Sequence, residues 1–246
     1  MKELSVSESV SQGWEFAKQH GLMLAVFVLV LYIVNSLLNT LTMPADFWEN
    51  YMKALSDPQQ AQNFQNWMEA STSSPLSFLV SILIDIIQLI FYAGFMATVL
   101  KLVRGTMDKV SFEGWKMSAM TYLKYIVVVF IVGLLSVIGF FLCIIPGIFI
   151  STRLAFAKWY ILDHPEAGIG DAISASWSMT SGNFWSVLGL ILTEVGIILL
   201  GFMCCCIGVL FAIPFACFVE ACAYKMLNGD FIDEAPVVGE YVQNER

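Results

Sequence analysis

The stretch that decides the fold runs from Tyr125 to Thr152 and reads YIVVVFIVGLLSVIGFFLCIIPGIFIST, without any Asp, Glu, Lys or Arg. A second uncharged stretch extends from Gly21 to Ala45. About 20 consecutive apolar residues are enough for a helix to cross the hydrocarbon core of a bilayer. The whole chain is 58% hydrophobic and 13% charged, whereas a soluble domain carries roughly a quarter charged residues. The sequence therefore predicts an integral membrane protein.

Six apolar spans predict an all-α membrane protein. They lie at about 21–43, 76–100, 125–145, 147–162, 184–203 and 207–227. The fourth is short, but Trp159 and Tyr160 at the membrane interface would allow it to span. Pro146-Gly147 separates the third span from the fourth, because proline ends a helix and glycine permits a tight turn. No signal-peptide cleavage site follows the first span, which we interpret as a retained anchor.

The basic residues lie almost entirely on one side of this six-span topology. Only Lys53 falls in a loop on the other side, and Arg153 lies within a span. Positively charged residues are enriched on the cytoplasmic side of membrane proteins. The sequence therefore predicts a multi-pass protein with both termini in the cytoplasm. The residues that support this orientation are Lys2, Lys18, Lys101, Arg104, Lys109, Lys116, Lys124, Lys158, Lys225 and Arg246.

A short motif that ends in tryptophan recurs on the predicted cytoplasmic side. Residues 8–14 read ESVSQGW and residues 171–177 read DAISASW, while VSFEGW at 110–115 is a weaker copy. Each copy precedes two spans, which predicts a unit of one interfacial amphipathic helix and one transmembrane hairpin, used three times around a pseudo-threefold axis. The alternative is that an amphipathic segment with a tryptophan precedes several spans by chance. The predicted interfacial helices lie at about 5–19, 108–121 and 169–181.

The chain is predicted to form a single polytopic domain over residues 1–246, with two segments outside the repeat. Residues 44–75 form an external insertion, in which Ser56-Asp57-Pro58 is a helix start signal. This insertion either caps the external mouth of the bundle or rests on the membrane surface. The acidic tail at 229–246 is expected to be mobile. The apolar face of the inserted helix would be formed by Phe64, Trp67 and Met68.

Four ionisable residues within the spans are the candidate functional residues. Each costs about 2.5–3.5 kcal/mol or more near the bilayer centre, so each needs a partner or water. Counting along the helices places Asp85 and Glu194 near the middle of the membrane, where Arg153 is expected to pair with one of them. Glu220 lies nearer the cytoplasm, where Lys158 or Lys225 is expected to reach it. The four are Asp85, Arg153, Glu194 and Glu220.

Uncharged polar residues extend this candidate site. Asp85 belongs to a helical stripe with Gln88 and Tyr92, and the first span adds polar groups in its outer half. These side chains either line a cavity that is open to the outside or form hydrogen bonds between helices, as polar groups in lipid commonly do. The stripe also contains Ser77 and Ser81, and the polar residues of the first span are Asn35, Ser36 and Asn39.

The residue inventory argues against several other kinds of site. The six cysteines have no C-x-x-C spacing and the two histidines are far from them, so neither a metal nor a cofactor is predicted. The net charge of −8 makes nucleic acid an improbable partner. No catalytic motif is present, so no catalytic residue is assigned and an enzyme is the less favoured class. Cys143 and Cys204–Cys206 fall on one external side, where they either form a disulfide or serve as small apolar fillers.

The stretch from Pro146 to Trp185 carries a recognisable pattern. It resembles the membrane domain of some bacterial glycerophosphoryl diester phosphodiesterases and related multi-pass inner-membrane proteins. The resemblance implies a multi-pass helical fold located in the bacterial cytoplasmic (inner) membrane. It implies no catalytic residues, because the phosphodiesterase activity belongs to a separate soluble domain. The pattern consists of Pro146-Gly147, Arg153, Asp163, Ala172, Ser176-Trp177 and Gly182-Asn-Phe-Trp185.

Three functional hypotheses follow from the sequence. The first is a non-catalytic membrane protein that organises lipids or a protein partner in the cell envelope, supported by the predicted interfacial helices. The second is a transporter or channel for a small solute, an ion or a lipid fragment that uses Asp85, Arg153 and Glu194. The third is an intramembrane enzyme. Membrane lipids are the expected partners, and the sequence does not set an oligomeric state.

Overall fold

The computed structural model describes residues 3–44, 46–56, 58–72, 75–203 and 207–229. All regular secondary structure in these ranges is helical, and no strand occurs in them, which confirms the predicted all-α class. A 3₁₀ helix at Phe112–Trp115 lies between α4 and α5. The α-helices are α1 Val6–Thr42, α2 Phe47–Ser56, α3 Pro58–Thr72, α4 Pro75–Val103, α5 Ala119–Leu142, α6 Ile144–Arg153, α7 Ala157–Asp163, α8 Ile169–Met179, α9 Phe184–Met203 and α10 Ile207–Asn228.

Five of the described helices are long and apolar enough to cross a membrane, namely α1, α4, α5, α9 and α10. Their outer surfaces carry large apolar side chains that no other described residue covers, such as Phe141 and Met203, which are 92% and 81% exposed. A soluble protein rarely exposes extended apolar surface, whereas lipid solvates it well. The chain is therefore a multi-pass integral membrane protein.

The predicted fourth span is divided into two short helices. Helix α6 ends at Arg153 and α7 begins at Ala157. The hydroxyl of Ser176 holds this break, because it donates a hydrogen bond to the Arg153 carbonyl (2.9 Å) and accepts one from the Phe156 amide (3.2 Å). A single uninterrupted helix over 147–162 is thus wrong, since a distant side chain satisfies the backbone groups that the break exposes.

Together α6 and α7 run back along the full length of α5. Near the turn, a Cβ added at Gly139 would lie 2.9 Å from the Cα of Gly147, so the two helices meet without side chains between them. At the other end, the Lys124 ammonium donates hydrogen bonds to the carbonyls of Pro165 (2.7 Å) and Ala167 (2.9 Å). The broken pair therefore covers the same height as the long helix beside it.

The three predicted interfacial helices take different forms. The segment 5–19 is the first half of the continuous helix α1, which starts with a hydrogen bond from the Glu8 amide to the Ser5 side chain. The segment 108–121 contains the short 3₁₀ helix and the first residues of α5 in place of one longer helix. The segment 169–181 is largely α8. Their placement at a membrane interface stays a prediction.

The inserted segment folds as two helices, α2 and α3, joined at residues 56–58. Aromatic rings hold them together: Phe47 and Tyr51 on α2 both meet Phe64 on α3, with centroids 5.8 and 6.0 Å apart. On α2, a 2.5 Å hydrogen bond from Lys53 lowers the pKa of the exposed Glu49 carboxyl. The predicted helix-start residue Asp57 and the tail beyond residue 229 lie outside the described ranges.

The buried core lies toward the end of the bundle where α4 and α10 finish. Helix α1 joins it through its first half, where Ser9 is completely buried and its hydroxyl lies 3.4 Å from the Met226 sulfur. The opposite ends of α1, α4 and α9 expose apolar side chains instead. The bundle is thus tightly packed at one end and more open at the other. Its largest fully buried side chains include Phe95, Tyr125, Phe156, Trp159, Phe218 and Tyr224.

The first tryptophan motif packs on α10. A Cβ added at Gly13 would lie 2.8 Å from the Val219 side chain, so only glycine permits this approach. One turn earlier on α10, the Phe215 ring meets the Trp14 ring edge to face, with centroids 5.5 Å apart. The dipeptide Gly13-Trp14 therefore fixes the start of the chain against its last described helix.

The second motif packs on α4 in the same manner. A Cβ added at Gly114 would lie 2.8 Å from the Thr98 Cα, so the 3₁₀ helix lies directly against the α4 backbone. One turn earlier on α4, a Cβ added at Gly94 would lie 2.6 Å from the Trp115 ring. Glycine at both positions lets the indole lie flush against the helix.

The third motif packs on α6. Ser176 bonds to the Arg153 carbonyl, and one turn earlier the Phe149 ring meets the Trp177 ring edge to face, with centroids 5.8 Å apart. In all three motifs a small residue contacts a helix, and the following tryptophan contacts the same helix one turn nearer its start. The three contacted helices are α10, α4 and α6, in the order of the motifs.

Candidate intramembrane site

A groove of about 540 Å³ opens between α1 and α4 in the loosely packed end of the bundle. Most of its lining is apolar, and Ile213 of α10 closes part of it. Asn35, Asp85 and Gln88 lie on its walls, and Tyr92, one turn beyond Gln88 on α4, lines the groove at the side of the core. Such a combination of apolar walls with a few polar groups is typical of a ligand site.

A hydrogen bond joins the two polar walls of the groove. The Gln88 amide nitrogen donates to the Asn35 side-chain oxygen at 2.8 Å. Asn39, one turn further along α1, donates to the Asn35 backbone carbonyl at 2.9 Å and also to the Asn35 side-chain oxygen. Asp85 is exposed to the groove one turn from Gln88. The groove therefore has a polar patch in which the amides are already engaged and the carboxylate is accessible.

Outside the groove, buried charged residues gather around an ion pair between α7 and α10. The Lys158 ammonium lies 2.8 Å from Oε1 and 3.0 Å from Oε2 of Glu220, so both carboxylate oxygens are engaged. The two side chains are 28% and 12% exposed. Of the two lysines considered for Glu220, Lys158 is the partner, whereas Lys225 donates to the Val103 carbonyl at the end of α4 (3.1 Å).

Glu194 on α9 approaches this ion pair from a third helix. Its carboxyl is within electrostatic range of both Glu220 and Lys158. The Oε1 atom is completely buried and has no hydrogen-bond partner among the described residues. A buried carboxyl oxygen without a partner is costly. Glu194 therefore belongs to the ion-pair cluster and not to the groove.

Arg153 does not form the predicted ion pair with Asp85 or Glu194. Its guanidinium lies over two aromatic rings, 5.2 Å from the centroid of Phe149 and 5.4 Å from that of Trp177. Its Nε and Nη1 atoms are buried without a hydrogen-bond partner in the described part of the chain. The break after α6 places this residue beside α8, and the aromatic faces offer a cation–π interaction in place of a carboxylate.

A second charged cluster was not among the predicted site residues. Asp163, at the end of α7, is 4% exposed and forms an ion pair with Arg104. The same carboxylate accepts hydrogen bonds from the Tyr224 hydroxyl (2.8 Å) and the Asn228 amide (3.3 Å). It thus ties α4, α7 and α10 together. Asp163 enters the sequence analysis only as part of the family pattern. It lies just beyond the predicted fourth span, where a carboxylate can face water and needs no buried partner.

Of the external cysteines that could form a disulfide or act as small apolar fillers, the structure describes only Cys143. Cys143 is exposed between α5 and α6, whereas Cys204–Cys206 lie outside the described residues, so both alternatives stay open. Cys217 and Cys222 are buried free thiols on α10. Among the described residues no group of three or more His, Cys, Asp or Glu is arranged to hold a metal ion.

Comparison with known proteins gives relatives but no assigned activity. No protein-family model matches the chain, and no solved structure matches it significantly. The chain is 25% identical over 241 residues to uncharacterised proteins of Mycobacterium tuberculosis and Mycobacterium bovis, with 94% of this chain and 71% of each relative covered. The similarity therefore extends over nearly the whole helical bundle and is not confined to one motif.

Proposed function

We propose that this protein binds an amphiphilic membrane lipid in the groove between α1 and α4, and that it organises lipids of the bacterial cytoplasmic membrane without catalysing a reaction. The groove carries the proposal, because it combines apolar walls with a polar patch in the lipid-exposed end of the bundle. Acyl chains would lie along the apolar walls. The head group would meet Asn35, Asp85 and Gln88.

The chemistry of the patch favours a head group with hydrogen-bond donors. Asp85 offers an accessible carboxylate, whereas the oxygen of Asn35 already accepts from Gln88. A carboxylate in a medium of low dielectric constant attracts an ammonium group strongly and repels phosphate. An amine-bearing lipid such as phosphatidylethanolamine therefore fits this groove better than phosphatidylglycerol, whose head group has no cation.

The proposed orientation has six crossings and both termini in the cytoplasm. The pair α6–α7 counts as the sixth crossing, because it returns along α5 from Gly147 to Pro165. The lysines near one end of the bundle support the orientation, since Lys101, Lys124 and Lys225 all donate to backbone carbonyls of loops or helix ends there. Such clustering of cations is characteristic of the cytoplasmic side.

The repeated packing of the tryptophan motifs supports a pseudo-threefold arrangement. The three hairpins are α1 with α4, α5 with α6–α7, and α9 with α10. Each small-residue–tryptophan pair docks on the second member of the preceding hairpin. The second pair docks on α4, the third on α6, and the first on α10, which closes the ring. A chance occurrence of tryptophan before a span would not produce the same one-turn offset three times. The resemblance to the phosphodiesterase membrane domain is part of this proposal. It supports a lipid-related function, because that domain accompanies a lipid-related hydrolase.

Lipid retention measured by native mass spectrometry tests the groove. Protein from nanodiscs that contain equal amounts of phosphatidylethanolamine and phosphatidylglycerol is expected to retain the former. Leu31→Trp fills the groove and should abolish retention, whereas Ile33→Trp, on the same helix but outside the lining, should not. Asp85→Asn removes a charge-assisted hydrogen bond and should reduce the preference by about tenfold. Equal retention by both tryptophan variants would contradict lipid binding in the groove.

Transport of a small solute, an ion or a lipid fragment is the second candidate function. Asp85 favours it, because an accessible carboxylate in the membrane can bind a cation. The three charges first considered for transport do not share one cavity: Asp85 lines the groove, Arg153 lies on aromatic rings and Glu194 joins the ion pair. A transport path would therefore depend on Asp85. Uptake into liposomes should fall in Asp85→Asn, and unchanged uptake would exclude this residue from a transport path.

A further inference from the structure

The cluster around Lys158 receives titratable groups from α4, α5, α9 and α10. Lys158 and Glu220 form the ion pair, and Glu194 approaches from α9. The Tyr92 hydroxyl and the Cys217 thiol are close enough to interact with each other, and the Tyr125 hydroxyl lies within electrostatic range of both Cys217 and Glu220. The titratable groups of the cluster are thus Tyr92, Tyr125, Lys158, Glu194, Cys217 and Glu220.

The charges in this cluster do not balance if every carboxyl is ionised. Phenols and thiols are neutral near neutral pH, so the cluster holds two carboxyls and a single ammonium. Glu220 engages the ammonium with both oxygens. An additional ionised carboxylate in the same low-dielectric surroundings would be unpaired, and such a group protonates in preference to remaining charged.

We infer that Glu194 is a proton-binding site, neutral in the resting protein while Lys158 and Glu220 remain an ion pair. A protonated carboxyl explains why Oε1 of Glu194 can be buried with no hydrogen-bond donor beside it in the described part of the bundle. Tyr92 lies on the groove wall and also beside Cys217, so the groove leads toward this site. The inference is independent of the proposed lipid binding, because it depends only on the three charged groups.

A lipophilic carbodiimide is a suitable probe of this proton. A protonated carboxyl transfers its proton to a carbodiimide nitrogen while its oxygen attacks the central carbon, and the adduct rearranges to an N-acylurea that keeps all atoms of both reactants. No further reactant is required. Glu194 lies on a lipid-facing helix, since its neighbours Leu192 and Val195 are 63% and 47% exposed. A reagent dissolved in the membrane can therefore reach it.

Labelling of the full-length protein in native membranes, with the modified residue located by peptide mass spectrometry, tests the inference. The wild type should be labelled at Glu194 and not at Glu220. In Glu220→Gln one carboxyl and one ammonium remain, so Glu194 becomes the ionised partner of Lys158 and its labelling should fall by at least about tenfold, the effect of one unit in proton affinity. In Lys158→Met both carboxyls lose their counter-ion, and both should be labelled.

Either of two labelling results would overturn the inference: labelling of Glu220 in the wild type without labelling of Glu194, or undiminished labelling of Glu194 in Glu220→Gln. Infrared spectroscopy keeps the inference testable if Lys158→Met does not fold. The carbonyl band of a protonated carboxylic acid should be present in the wild type and weaker in Glu194→Gln, which keeps the shape of the neutral side chain. An identical band in both proteins would show that Glu194 carries no proton.

Discussion

Truncating Asp163 to alanine should be among the most destabilising single changes in this chain. The carboxylate is 4% exposed and pairs with Arg104 at the end of α4. It also accepts hydrogen bonds from Tyr224, which is fully buried, and from Asn228. Removing the carboxylate breaks these three interactions at once, so α4, α7 and α10 lose a common attachment.

The magnitude follows from the exposure of the partners. Breaking a buried ion pair costs about 3–5 kcal/mol, and the lower end applies here because the Arg104 side chain is 28% exposed and can regain water. The buried Tyr224 hydroxyl loses its acceptor, which adds roughly 1 kcal/mol. The total is about 4 kcal/mol. For a chain of this size each kcal/mol lowers the melting temperature by about 2–4 °C, so we expect a decrease of about 8–16 °C.

Fluorescence-detected size-exclusion chromatography after heating in detergent measures this decrease. Asp163→Asn keeps the shape and one acceptor and should fall between the wild type and the alanine variant. Glu15→Ala is the matched control, because it removes an ion pair with Lys18 in which both side chains are 49% exposed, and such pairs contribute about 0–1 kcal/mol. If Asp163→Ala shifted the melting temperature no more than Glu15→Ala, the central role of this carboxylate would be refuted.

Three further substitutions test the packing of the bundle by the same heating assay. Ser176→Ala leaves the Phe156 amide without its acceptor and should cost about 1–3 kcal/mol, whereas Ser178→Ala, an exposed neighbour, should change little. Gly94→Leu should displace the Trp115 ring, which a Cβ would approach to 2.6 Å, and so should lower the melting temperature and redshift the tryptophan fluorescence. Lys225→Met removes the cation from the last carbonyl of α4 and should cost about 1 kcal/mol, with no effect on lipid retention in the groove.

The sequence predicts the long helices well, because an apolar run of sufficient length has few alternatives in lipid. Helical spacing also places Asp85, Gln88 and Tyr92 on one face of α4, and all three line the groove. It does not indicate which residue of α1 lies opposite, and the hydrogen bond from Gln88 to Asn35 is seen only in the structure. Spacing determines the face of a helix on which a residue lies, which is the information that this part of the site requires.

The break between α6 and α7 has no local signal. Leu154, Ala155 and Phe156 all tolerate helix, and neither proline nor glycine is present there. Ser176 supplies the hydrogen bonds that compensate for the break, from more than one helix away in the chain. The prediction that Arg153 pairs with Asp85 or Glu194 is wrong for the same reason. It assumes a straight helix, whereas the break after Arg153 places its side chain beside α8. Tertiary contacts of this kind are not encoded in the residues that they affect.

The packing of Gly13 against Val219 has a consequence for biosynthesis. The beginning of α1 finds its neighbour only when α10 has been made, about 200 residues later, which takes roughly 10–40 s at translation rates of about 5–20 residues per second. During this interval the newly made N-terminal segment is without the surface that covers it in the finished protein. Shortening the chain before α10 should therefore leave Trp14 without its docking surface.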